Sequence, residues 1–155
     1  MPELSIYQID AFSNNVFSGN PAAVCVLDSA ISEALMQKVA KENNLSETAF
    51  IVPNDTGWDI RWFTPKLEVP LCGHATLASA YVIFNELLFS GTEIRFQSQS
   101  GELKVRKSGD LLTLDFPAMQ YAHCDELPDN LKDGLGVLPT SVFKVDSDPN
   151  YYAVY

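Results

Sequence analysis

The residues of this 155-residue chain with the most chemical capacity fall into four short stretches. In Asn44-Leu45-Ser46-Glu47-Thr48-Ala49-Phe50, a carboxylate stands at the entry to an apolar run. That position favours partial desolvation, which raises a carboxylate's pKa toward the range a neutral-pH proton carrier needs. The blander reading is a solvated Glu at a strand start, or a side chain that partners Ser46 in a cap. Local sequence alone leaves both open.

Leu71-Cys72-Gly73-His74-Ala75-Thr76 opens a helix. Gly73 lets a ligand approach the backbone, and the free N–H groups of the first turn attract a carboxylate. The positive helix end disfavours protonated His74, so a neutral imidazole is expected. Cys72, just ahead of that end, is expected to have a lowered pKa. A packed turn with a buried thiol is the competing reading. One His and one Cys two positions apart do not make a metal set, so zinc is not expected. In Gly19-Asn20-Pro21, Asn20 held by a proline can offer an acceptor and two donors, or can simply be a turn residue. His123-Cys124 falls in a polar stretch; solvation is expected there and no role is assigned.

Alternating and periodic patterns indicate which elements hold these stretches. Ser5–Phe12, Ala22–Leu27, Leu45–Val52 and Trp58–Thr64 read as strands. Trp58, Ile60 and Trp62 share one strand face, better suited to a core than to a binding platform. Ser32–Glu42 reads as a helix with Ser32 as N-cap, an apolar stripe of Leu35, Met36, Val39 and Ala40, and Asn43-Asn44 as its stop. A second helix, rich in small residues, runs from His74 toward Leu87. Glu93–Gln97, Glu102–Lys107 and Leu111–Phe116 follow as three strands, with Ser108-Gly109-Asp110 as a tight hairpin turn. Ala118–Pro128 reads as a polar connector, Leu127–Leu135 as a short helix, and Ser141–Asp146 and Tyr151–Tyr155 as strands. The division expected is 1–117 as a first domain and 118–155 as a connector with the incomplete start of a second.

Composition narrows the function. The 46% hydrophobic content predicts a packed core. Twenty acidic against ten basic residues, a formal charge of −10, lack the basic footprint of a nucleic-acid binder and oppose docking on an anionic membrane. No apolar run reaches the roughly 18 residues of a membrane span, and no N-terminal stretch reads as a signal peptide. Three widely spaced cysteines, an odd number, argue against a disulfide framework and suit a reducing cytoplasm.

Taken in order, four segments resemble the first half of the PhzF (phenazine-biosynthesis-like) isomerase family. They run from Asp10-Ala11-Phe12 to Gly19-Asn20-Pro21-Ala22-Ala23-Val24, then Glu42 to Phe50, Arg61-Trp62-Phe63-Thr64-Pro65, and Glu68 to Thr76. The resemblance implies an α+β, diaminopimelate-epimerase-like fold: a mixed sheet wrapped around a central helix, here followed by the start of a second similar domain. It implies cofactor-independent isomerisation, with no metal, in which Glu47 moves a proton between carbons of a small carboxylate substrate. His74 would orient that substrate, Gly73 and the following helix start would hold its carboxylate, and Asn20 matches more loosely a binding asparagine of related epimerases. Cys72 stands where those epimerases place a proton-carrying cysteine and is a secondary candidate. A homodimer is the expected assembly.

Members of that family are nearly twice as long, and their second domain supplies a facing Asp and a glycine-serine helix start with no counterpart here. The chain therefore reads either as a truncated half or as a half that another chain must complete. The alternative to an isomerase is an inactive half that binds a small carboxylate or serves as an assembly module.

Overall fold

The computed structural model describes residues 4–15, 17–116, 118, 120–124, 133–145 and 151–154. The chain separates into two compact units, Met1–Phe116 and Pro117–Tyr155.

The first unit is α+β, a mixed sheet curled into a half-barrel around one helix. Its strands are β1 (Ser5–Ala11), β2 (Asn20–Val26), β3 (Glu47–Asn54), β4 (Gly57–Phe63), β5 (Glu68–Val69), β6 (Glu93–Ser98), β7 (Gly101–Ser108) and β8 (Leu111–Asp115). They form one eight-stranded sheet in the order β1-β2-β3-β4-β6-β7-β8, with the short β5 beside β4. Two neighbouring pairs are parallel, β2 with β3 and β4 with β6. A parallel pair needs a crossover. Helix α1 (Glu33–Asn43) provides the first, and α2 (Gly73–Tyr81) with its π-helical continuation Val82–Glu86 lies in the second.

Period-two alternation sends successive side chains of β2 and β3 to opposite faces. Ala22, Val24, Ala49 and Ile51 face the core around α2 with Ile60, Trp62, Ile94, Phe96, Leu103 and Val105. Cys25 and Phe50 face the other way and pack with Met36 and Ala40 of α1, and with Leu27 and Phe63. The centre of the sheet is thus covered on both faces, which explains why β2 reads as an almost unbroken apolar run.

Helix α2 is made of small residues because it lies inside the curl. Ala75, Thr76, Ala78, Ser79 and Ala80 are buried. The two buried hydroxyls are satisfied within the helix: Thr76 Oγ1 donates to the Cys72 carbonyl at 2.6 Å, and Ser79 Oγ to that of Ala75 at 2.7 Å.

Several details differ from the sequence expectation. Ser32 stands at the N-cap of α1, but its hydroxyl makes no cap bond; its carbonyl receives Leu35 N and Met36 N. Asn44 ends the helix in the left-handed conformation at φ 52°, where Asn is tolerated. Strand β2 starts two residues earlier than the expected Ala22, because Asn20 already pairs with Ala11. Leu35 of the expected apolar stripe is largely exposed, while Met36 and Ala40 are buried.

In the second unit, β9 (Tyr121–His123), β10 (Ser141–Val145) and β11 (Tyr151–Val154) form an antiparallel sheet in the order β11-β10-β9. The expected polar connector thus contains a strand. Tyr121 and His123 are set edge-on to Phe143, ring centroids 5.4 and 5.5 Å apart. Pairing across one strand lets aromatic rings hold a segment whose composition reads as solvated. Most of the expected Leu127–Leu135 helix lies outside the described residues; 133–135 are helical.

Candidate active site

The parallel register of β2 and β3 sets Ala22 opposite Glu47. The start of β3 therefore lies beside the start of β2, and Ser46 Oγ reaches both Asn20 Oδ1 and the Pro21 carbonyl at 3.4 Å. Gly19 is what allows β2 to begin there. Its φ is +131°, and a Cβ at that position would sit 2.5 Å from the Ala11 carbonyl oxygen of β1.

The third approach comes from the N-terminus of α2. Cys72 is its N-cap residue and Gly73 its first residue. Gly73 is packed closely: a Cβ there would lie 3.2 Å from the Phe116 ring. One residue on, His74 Nε2 lies 3.3 Å from Glu47 Oε2 and 3.4 Å from Ser46 Oγ. Its other nitrogen, Nδ1, lies 3.4 Å from Cys72 Sγ. The His74 and Glu47 side chains are 10% and 20% exposed, so the pair is shielded yet reachable.

Glu47, His74, Asn20 and Gly73 thus belong to one locality formed by the starts of β2, β3 and α2. Cys72 adjoins it through His74. Ser46 is the residue that sequence reasoning passed over, since a serine before a strand carries no chemical signature. Its position beside Asn20, at the start of the neighbouring strand, becomes visible only with the register.

Burial holds the His74 pKa below the ordinary imidazole value, opposed in part by Glu47 and by the Pro21 carbonyl. His74 is therefore a neutral imidazole near pH 7, as position suggested, but the leading cause is desolvation rather than the helix end. For Cys72 the expectation is overturned. Burial pushes its thiol up to about 11, the Glu47 carboxylate adding to the rise; backbone hydrogen bonds at His74 and Ala75 offset only part of this. A helix N-terminus lowers a thiol's pKa and apolar burial raises it; here burial is the larger effect.

The three donors Glu47, Cys72 and His74 lie within 4.8 Å of one another. Sequence spacing counted only the last two. The carboxylate that makes the set a triple arrives from another strand. Among the described residues, no helix is long and apolar enough to cross a membrane.

Comparison with known proteins gives a consistent picture. Residues 9–137 match the family described as phenazine biosynthesis-like protein, PhzC-PhzF. An uncharacterized isomerase of Pseudomonas aeruginosa is 50% identical over 144 residues, covering 93% of this chain and 55% of its own length. A phenazine biosynthesis-like domain-containing protein of Bos taurus is 48% identical over 145 residues, covering 86% of this chain and 50% of that protein. The crystal structure of a PhzF-family protein from Enterococcus faecalis superposes with a TM-score of 0.83 at 45% identity, covering 90% of this chain and 54% of that one. The chain spans about half the length of the relatives it matches.

Proposed function

The chain belongs to the phenazine biosynthesis-like (PhzC-PhzF) protein family, and on that premise we propose that it supplies the proton-transferring half of an isomerase acting on a small carboxylate compound. Glu47 is the acid/base that removes a proton from one carbon and returns it at another. His74 and the N–H groups that open α2 hold and polarise the substrate, with Asn20 as a further polar contact. Relatives of this chain bear the name isomerase, which supports the reaction class.

The observation that carries this reading is the Glu47–His74 contact of 3.3 Å at a helix N-terminus. A carbon acid gives up its proton when a base is near and the developing negative charge meets fixed donors. A neutral His74 can donate a hydrogen bond without competing for the proton that Glu47 carries. Gly73 has no side chain, which lets the Phe116 ring pack against the start of α2, and the N–H groups of that first turn are the donors offered to an incoming carboxylate. None of these steps calls on an organic cofactor or a metal.

The test is solvent deuterium incorporation into a dihydro-hydroxyanthranilate-like carboxylate. Wild type should incorporate label, and Glu47→Gln should lose at least about two orders of magnitude in rate, the usual range for a general base. Full exchange in Glu47→Gln would sink the mechanism. Label lost in Cys72→Ala but kept in Glu47→Gln would move the chemistry to the thiol, which its raised pKa disfavours.

The second unit, with β9 to β11, reads as the opening of a second, similar domain, and a homodimer in the cytoplasm is the proposed setting. The free cysteines among the described residues fit a reducing compartment. A carboxylate-binding or assembly role without turnover is the second reading, which the polar side chains gathered at the start of α2 would equally serve. Absent exchange together with saturable carboxylate binding would establish it.

A further inference from the structure

Glu47, Cys72 and His74 bring a carboxylate oxygen, a sulfur and an imidazole nitrogen within 4.8 Å of one another. A tetrahedral ion with bond lengths of about 2.0–2.3 Å holds such donors roughly 3.4–3.6 Å apart. The contacts here are 3.4 Å from Cys72 Sγ to His74 Nδ1 and 3.3 Å from His74 Nε2 to Glu47 Oε2. The two contacts use different ring nitrogens, so a single ion keeps one nitrogen and draws the remaining donor inward by a side-chain rotation. Soft sulfur beside imidazole selects zinc and its cobalt analogue; magnesium and calcium prefer oxygen throughout.

We propose that Glu47, Cys72 and His74 form a three-donor site for a zinc-type divalent cation, and that its occupation shuts off proton transfer by Glu47. Binding exchanges the S–H bond of Cys72 for a sulfur–metal bond and releases that proton to the buffer, with no change of oxidation state. Affinity therefore rises with pH. The ion would occupy the carboxylate and the imidazole that the proposed reaction uses, so bound metal and active base exclude each other. The inhibitory part rests on the isomerase reading; the binding part does not.

The probe is cobalt(II), titrated into the reduced 155-residue chain while the thiolate-to-cobalt charge-transfer band and the visible bands of four-coordinate cobalt are followed. The band should saturate at one ion per chain and be displaced by zinc. It should persist in Cys124→Ser, which removes the adjacent His123-Cys124 pair as the source, and vanish in Cys72→Ser. His74→Ala and Glu47→Gln should each weaken cobalt binding about tenfold or more, since even outer-sphere changes cost that much. Circular dichroism checks that each variant is folded.

Absence of the band in wild type overturns the site outright, whatever the variants do. So does a band that survives Cys72→Ser, or an affinity unmoved by both other substitutions. Where metal-free wild type exchanges deuterium, zinc should abolish exchange with the midpoint of cobalt displacement. Exchange that persists in zinc-saturated protein overturns inhibition and leaves the isomerase reading standing. No exchange in metal-free protein overturns the isomerase reading and, with it, the inhibitory part, while the cobalt band still decides the site.

Discussion

Cys72 and Cys25 hold their protons against opposite backgrounds: one beside a helix start and a histidine, the other sealed between a sheet and α1. Burial leads in both, pushing the thiols up to about 11 and about 12. Above the ordinary thiol pKa the unfolded chain releases protons that the folded chain retains, so stability falls as pH rises from about 9 toward 11. The urea midpoint should drop across that window, and Cys72→Ser should make the drop shallower, since Cys25 alone then contributes. A flat profile in wild type would refute the assignment. On the acid side the sign comes from His74, whose folded pKa is lowered. The unfolded chain takes up a proton first as pH falls through about 6.5, so stability declines there too. A thiol at about 11 is also a poor nucleophile at neutral pH. Cys72 should react with iodoacetamide roughly a hundredfold more slowly than a free thiol, in line with its smaller thiolate fraction. Peptide mapping after timed alkylation would read this, and fast labelling of Cys72 would contradict it.

At the scale of elements, the entry to β2 and the exit from α1 carry two clear local constraints. Gly19→Ala puts a Cβ against the Ala11 carbonyl in a conformation that side chains rarely adopt, and should cost about 2 kcal/mol or more. Denaturant midpoints would measure it, with an unchanged slope expected. Asn44→Ala should cost about 1 kcal/mol and Asn44→Gly almost nothing, because only the left-handed backbone at φ 52° is at stake. Both constraints were legible: Gly before Asn-Pro and Asn-Asn after a helical stripe are turn signals in their own right. The Ser32 cap was not. Its residue type and position were right, yet its hydroxyl makes no cap bond. The strand inside the expected connector was missed for a related reason. Tyr121–His123 has too little alternation to read as a strand, and its pairing to β10 comes from a partner twenty residues further along.

For the molecule as a whole, the proposed homodimer sets a prediction: sedimentation should give twice the 17.1 kDa chain mass. A monomer at all concentrations would count against the dimer. The formal charge of −10 makes association salt-sensitive, with higher salt strengthening contacts between like-charged copies.

Sequence alone determined the helices of the first unit and its strands other than the two-residue β5, the turn chemistry between them, the small-residue character of α2, and the family through an ordered set of motifs. These are properties of short windows: alternation of side chains, left-handed tolerance, and the bulk a packed helix allows. Tertiary structure alone decided which donors meet and in what electrostatic state. Glu47 reaches His74 because the β2–β3 register and the seat of α2 inside the curled sheet align three element starts. Cys72 becomes a tightly held thiol because the same packing removes water, which outweighs the helix end. Register and desolvation are sums over residues far apart in the chain, so no local window contains them.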